Sequence, residues 1–257
     1  TAKAFQAAAE TIAPSLVTIE SFGGVSTRAG RIGGIRQQGK GNTTGVIISP
    51  TGYVVTSTFN FATAPPVITL ITHDGQRHFA EMVGRDETRK ICLLKIENVT
   101  DLPVPESVDI ADVPVGAWAI SVGVGYGDSN PAISMGIISA KNRIGGRAIQ
   151  TDANISPANY GGPLIDIEGR LIGICVPLNP QSQAIGAGVE WYDSGIGFAI
   201  PVDADDRLIA RLKVPGTHIH PAYLGVKLSA NPAGRGLWVE EVMKSSPAES
   251  AGLVRED

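Results

Sequence analysis

Ile149-Gln150-Thr151-Asp152-Ala153-Asn154-Ile155-Ser156-Pro157-Ala158-Asn159-Tyr160-Gly161-Gly162-Pro163-Leu164 is the stretch around which the chain is organised. A short apolar run, Ala148 to Thr151, reads as a strand that leads into a loop and re-emerges at Leu164-Ile165. Outward from it, short apolar runs recur between Gly, Asp and Pro punctuation. On the N-terminal side these are Leu16 to Glu20, Val46 to Ile48, Tyr53 to Thr56, Val67 to Ile71, Phe79 to Val83 and Ile91 to Ile96. The second set comprises Trp118 to Val122, Ser134 to Ser139, Ala148 to Thr151, Leu164-Ile165, Leu171 to Val176 and Gly197 to Ile200. Two sets of six, separated by the Pro-containing segment Asp101 to Pro114, predict an all-β fold of two six-stranded antiparallel β-barrels.

Composition agrees with this. The 257 residues include 31 Gly and 17 Pro, which suits many turns, and the 43% hydrophobic content and mean hydropathy of +0.10 are those of an ordinary globular protein. A chain of this length buries an ample core without disulfides. A net charge of −4 gives no global basic field for nucleic acid, and no apolar run reaches the roughly 18 residues of a membrane span. The cysteines, Cys92 and Cys175, each sit inside an apolar strand run and read as buried thiols, with a bridge as the alternative.

The ends carry helices. Phe5, Ala8, Ala9 and Ile12 recur at helical spacing before Pro14, and Leu208, Ile209 and Leu212 do so after a capping Asp203. Between the first helix and the second strand, Ser21 to Thr44 holds seven glycines and four cations (Arg28, Arg31, Arg36, Lys40) with no acid. It reads as a solvated insertion, with docking of an acidic partner as the alternative. The expected domains are 1–213 for the double barrel (barrel one about 14–107, barrel two about 113–202), a Pro/Gly linker over 214–221, and a further segment, 222–257.

Five motifs, in this order and spacing, resemble the HtrA/Deg branch of the trypsin-like (chymotrypsin-fold) serine proteases. They are Gly52-Tyr53-Val54-Val55-Thr56, Cys92-Leu93-Leu94-Lys95-Ile96, Gln150-Thr151-Asp152, Gly161-Gly162-Pro163-Leu164 and Gly195-Ile196-Gly197-Phe198-Ala199-Ile200-Pro201. The segment 222–257, with Tyr223-Leu224-Gly225-Val226 as its carboxylate-loop candidates, resembles the opening part of a PDZ domain. The resemblance implies extracytoplasmic work on unfolded polypeptides, and homo-oligomers or hetero-oligomers with active relatives.

It also implies a catalytic triad, whose three positions are altered. Phe59 stands at the histidine position, Lys90 at the aspartate position and Tyr160 at the serine position, while Ala158 replaces a glycine of the oxyanion-hole loop. A phenyl ring cannot take a proton, and a tyrosine with a pKa near ~10 and no base beside it is a poor nucleophile. Loss of triad members in such proteases costs on the order of 10⁴ to 10⁶ in turnover. Ala158 is expected to strain its loop or flip a peptide if the glycine conformation is left-handed. Asp86 or Glu87 could be proposed as a substitute acid, but both sit several residues upstream in a loop and neither has a histidine to orient. His73 and His78 read as hairpin surface residues; His218 and His220 supply two ligands where a metal needs three or four, so neither metal nor cofactor is expected.

The substrate-binding framework is retained. Gly195, Ile196, Gly197, Phe198 and Ala199 resemble the family strand whose edge pairs with an extended peptide; the alternatives are that the strand is merely structural or that the insertion Pro177 to Asp193, with Trp191 and Tyr192, covers it. The reading is a catalytically inactive protease homologue that binds or scaffolds polypeptide. Its alternatives are an endopeptidase with a rebuilt site and a small-ligand or metal-binding module. Phe59, Lys90 and Tyr160 are expected to meet between the barrels, with the Lys90 ammonium bent out to water and the two aromatic rings narrowing the specificity pocket.

Overall fold

The computed structural model describes residues 2–22, 43–61, 65–124, 131–179, 194–202, 207–230 and 236–255. The chain divides into two units, Thr1–Ile219 and His220–Asp257. Twelve strands of the first unit form the two barrels. Barrel one contains β1 (Leu16–Phe22), β2 (Thr43–Ile47), β3 (Tyr53–Ser57), β4 (Val67–Thr72), β5 (Arg77–Asp86) and β6 (Ile91–Ile96). It runs β5-β4-β1-β2-β3-β6 and closes by pairing of β5 with β6. Barrel two contains β7 (Trp118–Gly123), β8 (Ala132–Asn142), β9 (Ala148–Thr151), β10 (Pro163–Ile165), β11 (Leu171–Val176) and β12 (Gly197–Ile200), closed in the order β10-β11-β12-β9-β8-β7.

Side chains of a strand alternate between its two faces, and here both faces are often apolar because three cores must be filled. In β6, Cys92, Leu94 and Ile96 enter the core of barrel one with Val17, Ile47, Val54 and Leu70. Their neighbours Ile91 and Leu93 turn the other way and join Val46, Val55, Ile120, Val122, Ile174 and Ile200 between the barrels. Barrel two closes on Ile138, Ile149, Leu164, Ile172, Cys175 and Ala199. Cys92 and Cys175 therefore face different barrel cores, and both are free buried thiols.

Helix α1 (Ala2–Ile12) buries Phe5, Ala8, Ala9 and Ile12, the face expected from the spacing. Phe5 meets Trp118 edge-on, with ring centroids 5.3 Å apart. The helix Arg207–Leu212 buries Leu208, Ile209 and Leu212; its expected cap, Asp203, lies outside the described residues, as do most of the Ser21 to Thr44 insertion and Trp191 and Tyr192. The segment expected to be a free linker over 214–221 is partly a strand: β13 (Thr217–Ile219) pairs parallel to β5, with the Glu87 amide donating to the Ile219 carbonyl at 2.9 Å. Its alternation of half-buried Thr217 and Ile219 around exposed His218 is too short to register as a strand in sequence.

In the second unit, β14 (Val226–Ala230) pairs with β15 (Leu237–Val242) in an antiparallel hairpin. A one-turn helix, Pro247–Ser250, follows. It starts because Ser246 accepts the Glu249 amide at 3.2 Å while the Glu249 carboxylate accepts the Ser245 amide at 2.6 Å, which caps two otherwise orphaned donors.

Candidate functional site at the junction of the barrels

The β2 and β3 ends carry polar residues where an apolar one would be expected, and those residues tie the loop 152–162 to barrel one. Thr44 Oγ1 donates to the Ala158 carbonyl at 3.0 Å and accepts the Val124 amide at 2.9 Å. Thr56 Oγ1 donates to the Thr44 carbonyl at 2.7 Å. Asn60, in the 3-10 turn Thr58–Phe61 that follows β3, donates from Nδ2 to Thr56 Oγ1 and to the Tyr160 carbonyl, both at 3.1 Å. Gly161 has φ +88°, and a Cβ there would fall on Thr56 Oγ1 and the Thr44 carbonyl. The Tyr160-Gly161 backbone can approach barrel one this closely only with glycine at 161.

This contact brings together the residues that the sequence suggests as altered triad positions. The Phe59 ring meets the Tyr160 ring edge to face, with centroids 5.2 Å apart and planes at 76°. Lys90 is joined to the same turn through its carbonyl, which accepts the Thr58 amide at 3.0 Å and Ser57 Oγ at 3.1 Å. Tyr160 is 3% exposed and belongs to the core of barrel two, against which Phe59 packs.

The expected outward course of Lys90 is corrected: the residue is only 4% exposed. Its φ of 59° places it in the left-handed region, in the turn between β5 and β6. Burial pushes its ammonium below the ordinary lysine pKa, Glu87 opposes that shift, and Arg85 adds to it. The two acids upstream have structural partners. Asp86 Oδ1 accepts the amides of Thr88 and Arg89 at 2.8 and 3.0 Å, and its Oδ2 accepts Arg89 Nη1 at 2.9 Å. Glu87 accepts Arg85 Nη2 and faces His218 Nε2 at 3.6 Å. His73 and His78 lie on the β4–β5 hairpin, and His220 just beyond β13. Among the described residues no group of His, Cys, Asp or Glu could hold a metal.

Ala158 does not have a positive φ, so the condition for left-handed strain is not met and its Cβ costs none. The loop folds into a turn. The Asn159 amide donates to the Ser156 carbonyl at 2.8 Å, while Asn159 Oδ1 accepts both the Ser156 amide (3.1 Å) and Ser156 Oγ (2.8 Å).

The peptide-strand candidates separate into two groups. Phe198 and Ala199 are buried and paired on both sides, to β11 (Val176↔Phe198) and β9 (Phe198↔Gln150), because β12 is an interior strand of a closed barrel. These two offer no free edge, which corrects that expectation; Gly197 is buried and pairs with β9 alone (Gly197↔Thr151). Gly195 is exposed and Ile196 half-buried, before the pairing begins. The depression bounded by Ile155, Tyr160, Val176, Leu178, Ile196 and Phe198 has a volume of only about 10 Å³, room for roughly one water. Ile155, which the sequence reading passed over, fills it: a Cβ on Gly197 would lie 2.6 Å from Ile155 Cδ1. Only the pairing of a small residue at 197 with a large one at 155 could have signalled this.

In the second unit Tyr223 and Leu224 are exposed and Gly225 is buried with φ +83°. The Leu224 carbonyl accepts the Ala248 amide and the Gly225 carbonyl the Met243 amide, so this loop is held by its own hairpin and helix, with Val226 opening β14.

The Trypsin-like peptidase domain family matches residues 43–174, just over half of the chain. The probable periplasmic serine endoprotease DegP-like of Chlamydia pneumoniae is 35% identical over 230 residues, covering 83% of this chain and 45% of the relative. This chain belongs to the HtrA-type trypsin-like serine protease family. The crystal structure of the serine endoprotease from Yersinia pestis superposes on this HtrA-type chain with a TM-score of 0.71 at 27% identity, covering 98% of this chain and 79% of that one. The structure of the HtrA-type protease AlgW with a decapeptide gives a TM-score of 0.70 at 27% identity, covering 98% and 83%. The chain spans about half the length of the DegP-like relatives it matches. Among its described residues no helix is long and apolar enough to cross a membrane.

Proposed function

We propose that this HtrA-type chain does not cleave peptides and acts as a polypeptide-binding or scaffolding member of its family. The observation that carries the reading is the edge-to-face contact of Phe59 with Tyr160 at the junction of the barrels, with Lys90 tied into the same turn. A ring at position 59 leaves no general base, and a buried tyrosine at 160 leaves no activated hydroxyl. The 10 Å³ depression supports loss of side-chain access.

Unfolded polypeptide is the proposed ligand, held by main-chain hydrogen bonds along Ser194–Ile196, where the backbone precedes the closed barrel; a decapeptide on the AlgW neighbour supports this class. The residues 222–257 are proposed as the start of a PDZ domain with Tyr223, Leu224, Gly225 and Val226 as its carboxylate loop. Assembly with itself or with active relatives, and an extracytoplasmic setting, are proposed from the family; the DegP-like relatives are named as periplasmic.

Incubation with an unfolded protein and with a serine-directed covalent probe tests the catalytic half. Neither cleavage nor labelling is expected, and both together would establish the rival reading of a rebuilt endopeptidase site. Tyr160→Ser alone should also stay inactive, because the serine would still lack a base. Tyr160→Ser cleaving at a measurable rate would show that another residue supplies one.

A further inference from the structure

Away from the Phe59–Tyr160 contact, the two barrels and the helix Arg207–Leu212 enclose an open cavity of about 270 Å³. Four arginines line it. Arg89 comes from the β5–β6 turn, Arg147 from the β8–β9 connection, and Arg207 and Arg211 from the helix; Pro201 and Leu208 supply apolar surface. Arg207 and Arg211 are exposed and four residues apart, hence on one helical face.

No acid lines the cavity among the described residues. Arg89 gives one nitrogen to Asp86, at 2.9 Å, and Arg147 gives Nε to the Ile144 carbonyl at 2.8 Å. A guanidinium carries five N–H donors, so both retain others. Arg89 is already paired with the Asp86 carboxylate, and adding Arg147, Arg207 and Arg211 around the same cavity is unfavourable unless an anion joins them, in a chain whose net charge is −4. The planar fork of a guanidinium matches two oxygens of a phosphate group, and convergent forks fix such a group in orientation as well as charge.

We infer that this cavity is a binding site for a small multivalent oxyanion of the phosphate or phosphate-ester class. Its volume suits a group the size of pyrophosphate better than a larger metabolite. Arg207 and Arg211 grip from the helix, and Arg147 and Arg89 from the two barrels, so occupancy would also clamp the helix to both barrels.

Calorimetric titration of the 257-residue protein with pyrophosphate at roughly 50 mM salt, where charge is least screened, tests this. Saturable one-to-one binding is expected, weakened at least about tenfold in Arg207→Gln/Arg211→Gln and more modestly in Arg147→Gln. The substituted helix residues are exposed, and an unchanged thermal unfolding curve without ligand confirms that the fold is kept. Absence of binding, or equal affinity in the double variant, overturns the site. Equal competition by glutamate, a dicarboxylate, overturns the phosphate assignment. Asp203, Asp205 and Asp206 precede Arg207 in sequence and lie outside the described residues. If the protein binds only after all three are changed to Asn, its own aspartates neutralise the arginines, which overturns the inference as well.

Discussion

The side-chain amide of Asn60 donates to the main-chain oxygen of Tyr160 at 3.1 Å, across a separation of 100 residues. Both residues are buried, and the same nitrogen reaches Thr56 Oγ1. Asn60→Ala leaves the Tyr160 carbonyl without this donor and is expected to cost about 1–3 kcal/mol in urea unfolding. A loss within error would mean that the loop 152–162 is held by Thr44 alone.

The rings of Phe59 and Tyr160 should be energetically coupled. A double-mutant cycle with Phe59→Leu and Tyr160→Leu is expected to give about 0.5–1.5 kcal/mol of interaction energy. Additive losses would make the observed edge-to-face geometry incidental.

Ile155 closes the depression against Gly197. Ile155→Ala should destabilise the protein by roughly 2–4 kcal/mol, as expected for loss of a buried aliphatic side chain. It should also make room for a small apolar probe such as benzene, detected by a rise in Tm. A stable variant that admits no probe would show that the neighbouring chain collapses into the space.

Gly161→Ala puts a methyl group on Thr56 Oγ1 and the Thr44 carbonyl at a φ that alanine avoids. Strain and overlap together predict a loss of roughly 3–5 kcal/mol, most of the stability of an ordinary domain, and poor recovery of folded protein. Gly75→Ala, in an open hairpin turn with φ +83°, carries the conformational cost without the overlap and should lose only about 1 kcal/mol. Similar losses at both positions would contradict the close inter-barrel approach.

Stability above pH 9 reports the buried titrating groups. Burial pushes the Cys175 thiol up to about 12 from 9.0, and moves Cys92 in the same direction. Between those values the unfolded chain releases protons that the folded one keeps, so the thiols' contribution is complete below pH 9 and is lost as pH rises. The limit is about 1.4 kcal/mol per pH unit for each thiol. Lys90 acts in the opposite sense. Its folded pKa is lowered, so below 10.5 the unfolded chain binds more protons and stability rises with pH. Denaturant unfolding from pH 7 to 10 should therefore show a flatter alkaline limb for Cys92→Ala/Cys175→Ala and a steeper one for Lys90→Met. Parallel limbs for all three proteins would refute the assignment.

Sequence alone determined the two barrels, because strand-length apolar runs separated by Gly, Asp and Pro turns leave few other ways to bury so much surface. All twelve barrel strands lie where those runs predicted, and α1 buries the face its spacing specified. The residues at 59, 90, 158 and 160, with the triad and oxyanion-loop positions the resemblance assigns them, were equally legible as one-dimensional text. What they do to one another was decided by tertiary structure, since their contacts join positions up to about a hundred residues apart. Lys90 is buried and its backbone left-handed, neither of which a lysine code announces. Phe198 and Ala199 read as an edge but lie inside a barrel, because closure pairs β12 with β9 as well as β11. Asn60, Ile155 and the four-arginine cavity escaped the sequence for the same reason: each is ordinary locally, and it is the packing of two barrels and a helix that puts an amide on a distant carbonyl, a methyl group over a glycine, and four like charges around one space.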